Sequence, residues 1–190
     1  MGRNALFFFS PMNDHELWKR AVAQLEKEYH ALPPSSADAV NHFLKLIQEL
    51  KKSIHRIVEQ VDVGTICSMC GGECCFRGKY HVTVIDVLAY LAAEKELFTP
   101  LFLEDWCPYL VESRCAMAPD FRPFNCVTFN CERVEGLLEL DRAEHFYVLE
   151  KELRCCYEAI EKLHGKRFLH GLLINYEQDV VLGGGTLLGQ

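Results

Sequence analysis

Val40, Phe43, Ile47, Leu50, Ile54, Ile57 and Val61 follow one another at steps of 3, 4, 3, 4, 3 and 4. That alternation keeps one narrow stripe of a helix apolar for three heptads. No other feature constrains the fold as much, because so long a stripe must be covered by a second apolar surface. The usual cover is another helix of the same chain; a second copy of the chain, or a protein partner docked on the seam, is the alternative. Upstream, Asn13-Asp14 offers a helix N-cap, and Trp18, Val22, Leu25 and Tyr29 recur at helical spacing. Pro33-Pro34 ends that helix, Ser35 or Ser36 can cap the next, and Gly64 is a plausible stop for it. The short link predicts an antiparallel helical hairpin over residues 1–63.

A second periodic stretch begins at Asp141. Phe146, Leu149, Leu153, Cys156, Ile160 and Leu163 again step by 3 and 4 until Gly165. A shorter apolar segment follows from Phe168 to Tyr176, and GGGTLLGQ reads as a loose tail. Residues 134–190 are therefore expected to form a C-terminal helical segment with that tail.

Between these helical regions, residues 64–133 have another texture: eight cysteines, most of the prolines and several glycines. Lys79-Tyr80-His81-Val82 looks briefly extended. Thr83 and Asp86 resemble a capping box in front of a short amphipathic helix from Val84 to about Glu96. After Pro100 the chain reads as loops. The predicted fold is mainly α: a helical hairpin and a C-terminal helix framing a cysteine-rich, loop-dominated metal-binding core, all in one compact domain. No internal repeat or low-complexity tract is present.

The cysteines carry the chemical signal. CSMCGGECC places four of them in residues 67–75, next to small or polar neighbours. With 190 residues, 49% of them hydrophobic, the chain can bury a real core without disulfides. Cys67 and Cys70 form a CxxC whose thiols can reach one ion from a tight turn, and Gly71-Gly72 supplies the backbone freedom for it. Cys74 can reach the same centre. Cys75 points elsewhere, because adjacent side chains diverge on helix and strand alike; the pair serves two centres, or one of the two is core. A second group follows at Cys107, Cys115 and Cys126, with Cys131 five further on. Cys155 and Cys156 lie on the last long helix, where Cys156 continues the apolar seam.

Four thiolates around a divalent ion leave negative charge, which favours nearby cations. Arg77, Lys79, Arg114, Arg122 and Arg133 all lie within a few residues of cysteines. Proline at 123 disfavours the helical region for Arg122, shaping the loop that delivers Cys126.

CxxCxxxCC, then RGKYHVTVIDVLAYL, then CPYLVESRCAMAPDFRPFNC resembles the YkgJ-like cysteine-cluster proteins, described as a zinc- or iron-chelating domain. The matching pieces are Cys107-Pro108-Tyr109-Leu110, Arg114-Cys115 and Arg122-Pro123-Phe124-Asn125-Cys126. The first cysteine run is one residue longer than the family's, and Val127 stands where the family has arginine. The resemblance covers residues 67 to about 131 and implies metal chelation by Cys67, Cys70, Cys74, Cys75, Cys107, Cys115 and Cys126. It leaves open whether the cofactor is an Fe–S cluster or Zn.

A net charge of −7 argues against a nucleic-acid footprint. No segment approaches the roughly 20 apolar residues of a membrane span. The five-residue apolar run Ala5–Phe9 falls short of a signal-peptide core of about 7–15. The chain reads as cytoplasmic, where ten cysteines point to ligands or catalysts rather than disulfides. Serving as a cysteine-cluster protein in electron transfer, sensing or support of a modifying enzyme is the leading expectation. A zinc-stapled protein-interaction module and an Fe–S oxidoreductase are the alternatives. No Ser-His-Asp arrangement, phosphate loop or dinucleotide fingerprint appears, so enzyme activity is left open. His81, His145, His164 and His170 count here only as any histidine would.

Overall fold

The computed structural model describes residues 13–69, 75, 78–103, 106–112 and 114–189, with the side chains of Ser68 and Arg114 set aside. Eight α-helices among the described residues make it mainly α, 67% helical. They are α1 (Asp14–His30), α2 (Pro34–Glu59), α3 (Val63–Met69), α4 (Val84–Ala92), α5 (Phe124–Thr128), α6 (Glu132–Glu135), α7 (Leu140–His164) and α8 (Leu172–Asn175). The only sheet among the described residues is a two-stranded antiparallel pair, β1 (Leu110–Val111) and β2 (Arg114–Cys115). No helix among them is long and apolar enough to cross a membrane.

The α1 start is as its sequence requires: the Asn13 side chain accepts a hydrogen bond from the Glu16 N–H at 2.9 Å. Pro33 caps α2 and Pro34 is its first residue, because a missing N–H costs nothing in the first turn. Of the periodic stripe, α2 buries Val40, Ile47, Ile54 and Ile57, with Leu44 and Val58 beside them; Phe43 and Leu50 are only partly buried, and Val61 lies beyond the helix end at Glu59. The main cover of the stripe is α7, which contributes Phe146, Leu153, Tyr157 and Ile160. The turn after α1 joins it to α2, but α1 lies chiefly against α4 and α8 rather than flat along α2. The two long seams pair with each other across the sequence, leaving α1 to close another side of the core.

At the centre stands α4. Its capping box is formed, with Thr83 and Asp86 bonding each other's backbone N–H groups. Val84 to Tyr90 are all buried, so the helix is enclosed on every side instead of amphipathic as expected. A short, wholly apolar helix can be enclosed this way once its one charge is neutralised. That charge is Asp86, and the partner is Lys51 from the middle of the α2 stripe, at 2.8 Å. Both side chains are buried to 1% exposure or less. The Tyr157 hydroxyl, from α7, donates to the same carboxylate oxygen at 2.8 Å. Thr83 donates to the other oxygen through its N–H at 2.9 Å and its hydroxyl at 2.7 Å. Thus α2, α4 and α7 meet on one buried, fully bonded carboxylate.

Three local expectations need correction. Residues 79–82 are not extended: Gly78–Tyr80 is a turn of 3-10 helix, and only Thr83 makes an isolated bridge, to Gly171. Gly64 is no stop, since α2 ends at Glu59 and Gly64 falls inside α3. The tail is not loose. Leu187 and Leu188 are buried, and their N–H groups donate to the two carboxylate oxygens of the buried Glu28 at 3.1 and 2.7 Å. Two leucines give the tail enough apolar surface to dock, and Glu28 satisfies the backbone that docking buries. Gly165 does end α7, in the left-handed conformation at φ 62°.

Candidate functional site

The loops between α2 and α7 enclose a cavity of about 1050 Å³. Cysteines from every part of the 64–133 region reach its wall: Cys67, Cys75, Cys107, Cys115, Cys126 and Cys131. These include every expected ligand that lies among the described residues; Cys70 and Cys74, like Arg77, lie outside them. Cys131 sits on the same wall without having been among those ligands. Cys155 and Cys156 stand apart on α7, one exposed and the other packed at the margin of the core.

Five of the six thiols are delivered by recognisable local devices. Cys67 rides on α3, which packs against α6, and Cys131 is the residue that opens α6. Cys107 fits because residue 78 has no side chain: a Cβ there would lie 2.4 Å from the Cys107 sulfur. Only glycine allows so close an approach. Tyr109 supports the same turn, its hydroxyl donating to the Lys79 carbonyl at 3.3 Å. The β1–β2 pair sets Cys115 opposite Leu110. Arg122 adopts ψ 146° before Pro123, and Pro123 caps α5, so Cys126 emerges in the first turn of that helix.

The thiols have different electrostatic surroundings. A hydrogen bond with Cys75 lowers the Cys107 pKa, against the effect of burial, and the Tyr109 N–H helps. Burial raises that of Cys115, opposed by the Met117 N–H and by the charge and hydrogen bond of Arg122. Cys126 is accessible from the cavity, yet protein surrounds it on most sides. That confinement pushes its thiol up, with the neighbouring Cys115 and Cys75 adding to the rise and Lys51 opposing it. Solvent access through the cavity limits the effect. The buried Lys51–Asp86 pair thus lies within electrostatic reach of the site.

His81 joins this wall. Its Nδ1 stands 3.3 Å from the Cys126 sulfur, and burial lowers its pKa. Nothing in its spacing set it above the other histidines, although it sits between the first cysteine run and the capping box. His145 and His170 are exposed, and His164 bonds the Leu188 carbonyl at 2.8 Å.

Of the cations near cysteines in sequence, Arg122 is the described one that reaches a thiol. Lys79 instead pairs with Asp14 at 2.6 Å, and Arg133 is exposed. Among the described residues, no three Cys, His, Asp or Glu side chains are grouped as placed to hold one metal ion.

The cavity is therefore a thiol-rich site whose wall also carries the imidazoles of His55 and His81 and the guanidiniums of Arg122 and Arg154. Soft sulfur and imidazole donors suit zinc, iron or copper(I) rather than magnesium or calcium. Comparison with family models, curated proteins and solved structures found no match for the chain.

Proposed function

We propose that this chain is a cysteine-cluster protein that holds zinc, or iron as an Fe–S cluster, in the cavity between α2 and α7. The observation that carries the reading is convergence. Six cysteines spread over residues 67–131 line one cavity, where buried structural cysteines would have scattered through the core. The glycine at 78 adds to it, since a Cβ there would collide with the Cys107 sulfur. The resemblance of residues 67–131 to the YkgJ-like proteins supports the same chemistry. Binding draws the cysteines of the loops together, as is usual where metal and folding are coupled.

Elemental analysis of protein purified without oxygen tests the reading. Iron with sulfide and broad visible absorption selects the cluster. A colourless protein with zinc selects the mononuclear form. Protein with neither metal overturns the proposal.

The volume of the cavity favours a second role. At about 1050 Å³ it reaches the upper end of small-molecule pockets, more than an ion needs. That favours a redox or accessory role with an organic ligand beside the metal over a purely structural staple.

A further inference from the structure

The contact between His81 and Cys126 bears on the kind of centre the cavity takes. Two donors bound to one tetrahedral zinc, nitrogen at about 2.0–2.1 Å and sulfur at about 2.3 Å, stand roughly 3.6 Å apart. His81 Nδ1 and Cys126 Sγ stand 3.3 Å apart, so an ion placed between them asks for little movement.

Both donors are carried by backbone that is fixed from several directions. The His81 N–H donates to the Gly78 carbonyl at 2.9 Å, and the Val82 carbonyl accepts from the Leu172 N–H at 2.7 Å. On the far side, a Cβ at Gly171 would meet the Tyr80 carbonyl oxygen at 2.3 Å, so α8 is pressed against the very turn that bears the imidazole. Cys126 is set by α5, its N–H donating to the Pro123 carbonyl at 3.0 Å.

We infer that His81 and Cys126 bind the same ion, and that the centre is mononuclear with mixed sulfur and nitrogen donors, completed by cysteines of the same cavity wall. This rests on the thiolate-metal reading above. Cys75, Cys107 and Cys115 share the wall with the pair and supply the remaining donors as the ion is bound. A four-iron cluster is a poor fit to the pair. Each iron of a cubane takes one protein donor, and those donors point outward from separate corners, so two in mutual contact cannot both serve it.

X-ray absorption of the zinc-loaded full chain, with cobalt(II) as the optical probe, tests the inference. The wild-type protein should show a nitrogen shell with imidazole scattering near 2.0–2.1 Å beside sulfur at about 2.3 Å. His81→Ala should lose the imidazole signal and bind zinc at least about 100-fold more weakly, the upper end of what losing even an outer-shell partner costs. Circular dichroism should show its helices retained. His81→Cys should recover binding with an all-sulfur shell and stronger cobalt charge-transfer bands, which a merely structural histidine would not produce. An all-sulfur shell in the wild type overturns the inference and leaves the thiolate-metal reading standing. Iron with sulfide in a cluster of any size does the same. A wild-type chain that takes up neither zinc nor cobalt overturns both.

Discussion

Asp86 and His81 are five residues apart, yet the regions they belong to are built on opposite terms. Around Asp86 the protein satisfies itself: Lys51, Tyr157 and Thr83 supply every hydrogen bond that the buried carboxylate needs. Around His81 the chain gathers donors of one chemical kind, thiols that raise one another's pKa when brought together. A closed polar network costs specificity of sequence and returns a fixed junction of three helices. A crowd of soft donors serves no such end, because apolar side chains would pack the same space better. The first region is framework, and the second is where the chemistry is proposed.

If that contrast is right, the largest losses of stability come from the framework. Asp86→Ala leaves the ammonium of Lys51 buried without its partner and should cost about 3–5 kcal/mol, measured by urea unfolding at neutral pH. An effect under about 1 kcal/mol would show that water or another carboxylate replaces Asp86, and the contrast would fail.

Leu188→Ala comes next. Emptying a fully buried leucine site usually costs about 2–5 kcal/mol, and this one also loosens the backbone bonds to Glu28. A loss near 3 kcal/mol is expected; none at all would make the tail the loose end that its glycines suggest.

Gly78→Ala should act on the other region. Its new Cβ would collide with the Cys107 sulfur, an overpacking that typically costs about 1–3 kcal/mol. Under the proposed function it should also lower metal content, whereas Asp86→Ala should retain metal in whatever fraction stays folded. Metal content unchanged in Gly78→Ala would separate Cys107 from the site.

The smallest effects belong to the α7 cysteines. Cys155→Ser, on the surface, should stay within about 0.5 kcal/mol. Cys156→Ser should cost no more than about 1 kcal/mol for a partly buried hydroxyl. Both should keep the metal that Cys107→Ser and Cys126→Ser lose, since a hydroxyl replaces a soft thiolate poorly. The reverse pattern in elemental analysis would exchange the two cysteine groups.

Periodicity and local caps are properties of neighbouring residues, so the sequence alone determined them. The α2 and α7 seams, the Asn13 cap, the Thr83–Asp86 box, the end of α7 at Gly165 and the loop shape set by Arg122-Pro123 all follow from steps of a few residues. The division of the cysteines between residues 67–131 and α7 was legible for the same reason. Pairings across long separations were not. That Lys51, in the middle of an apolar stripe, is buried against Asp86 depends on α4 and α7 arriving from 35 and more residues away. That two leucines of a glycine-rich tail dock on Glu28 depends on a contact spanning about 160 residues. The meeting of His81 with Cys126 likewise spans 45 residues. A buried charge, a docked tail and a shared donor pair are each decided by the partner that comes to meet them, and only the folded chain brings the partner.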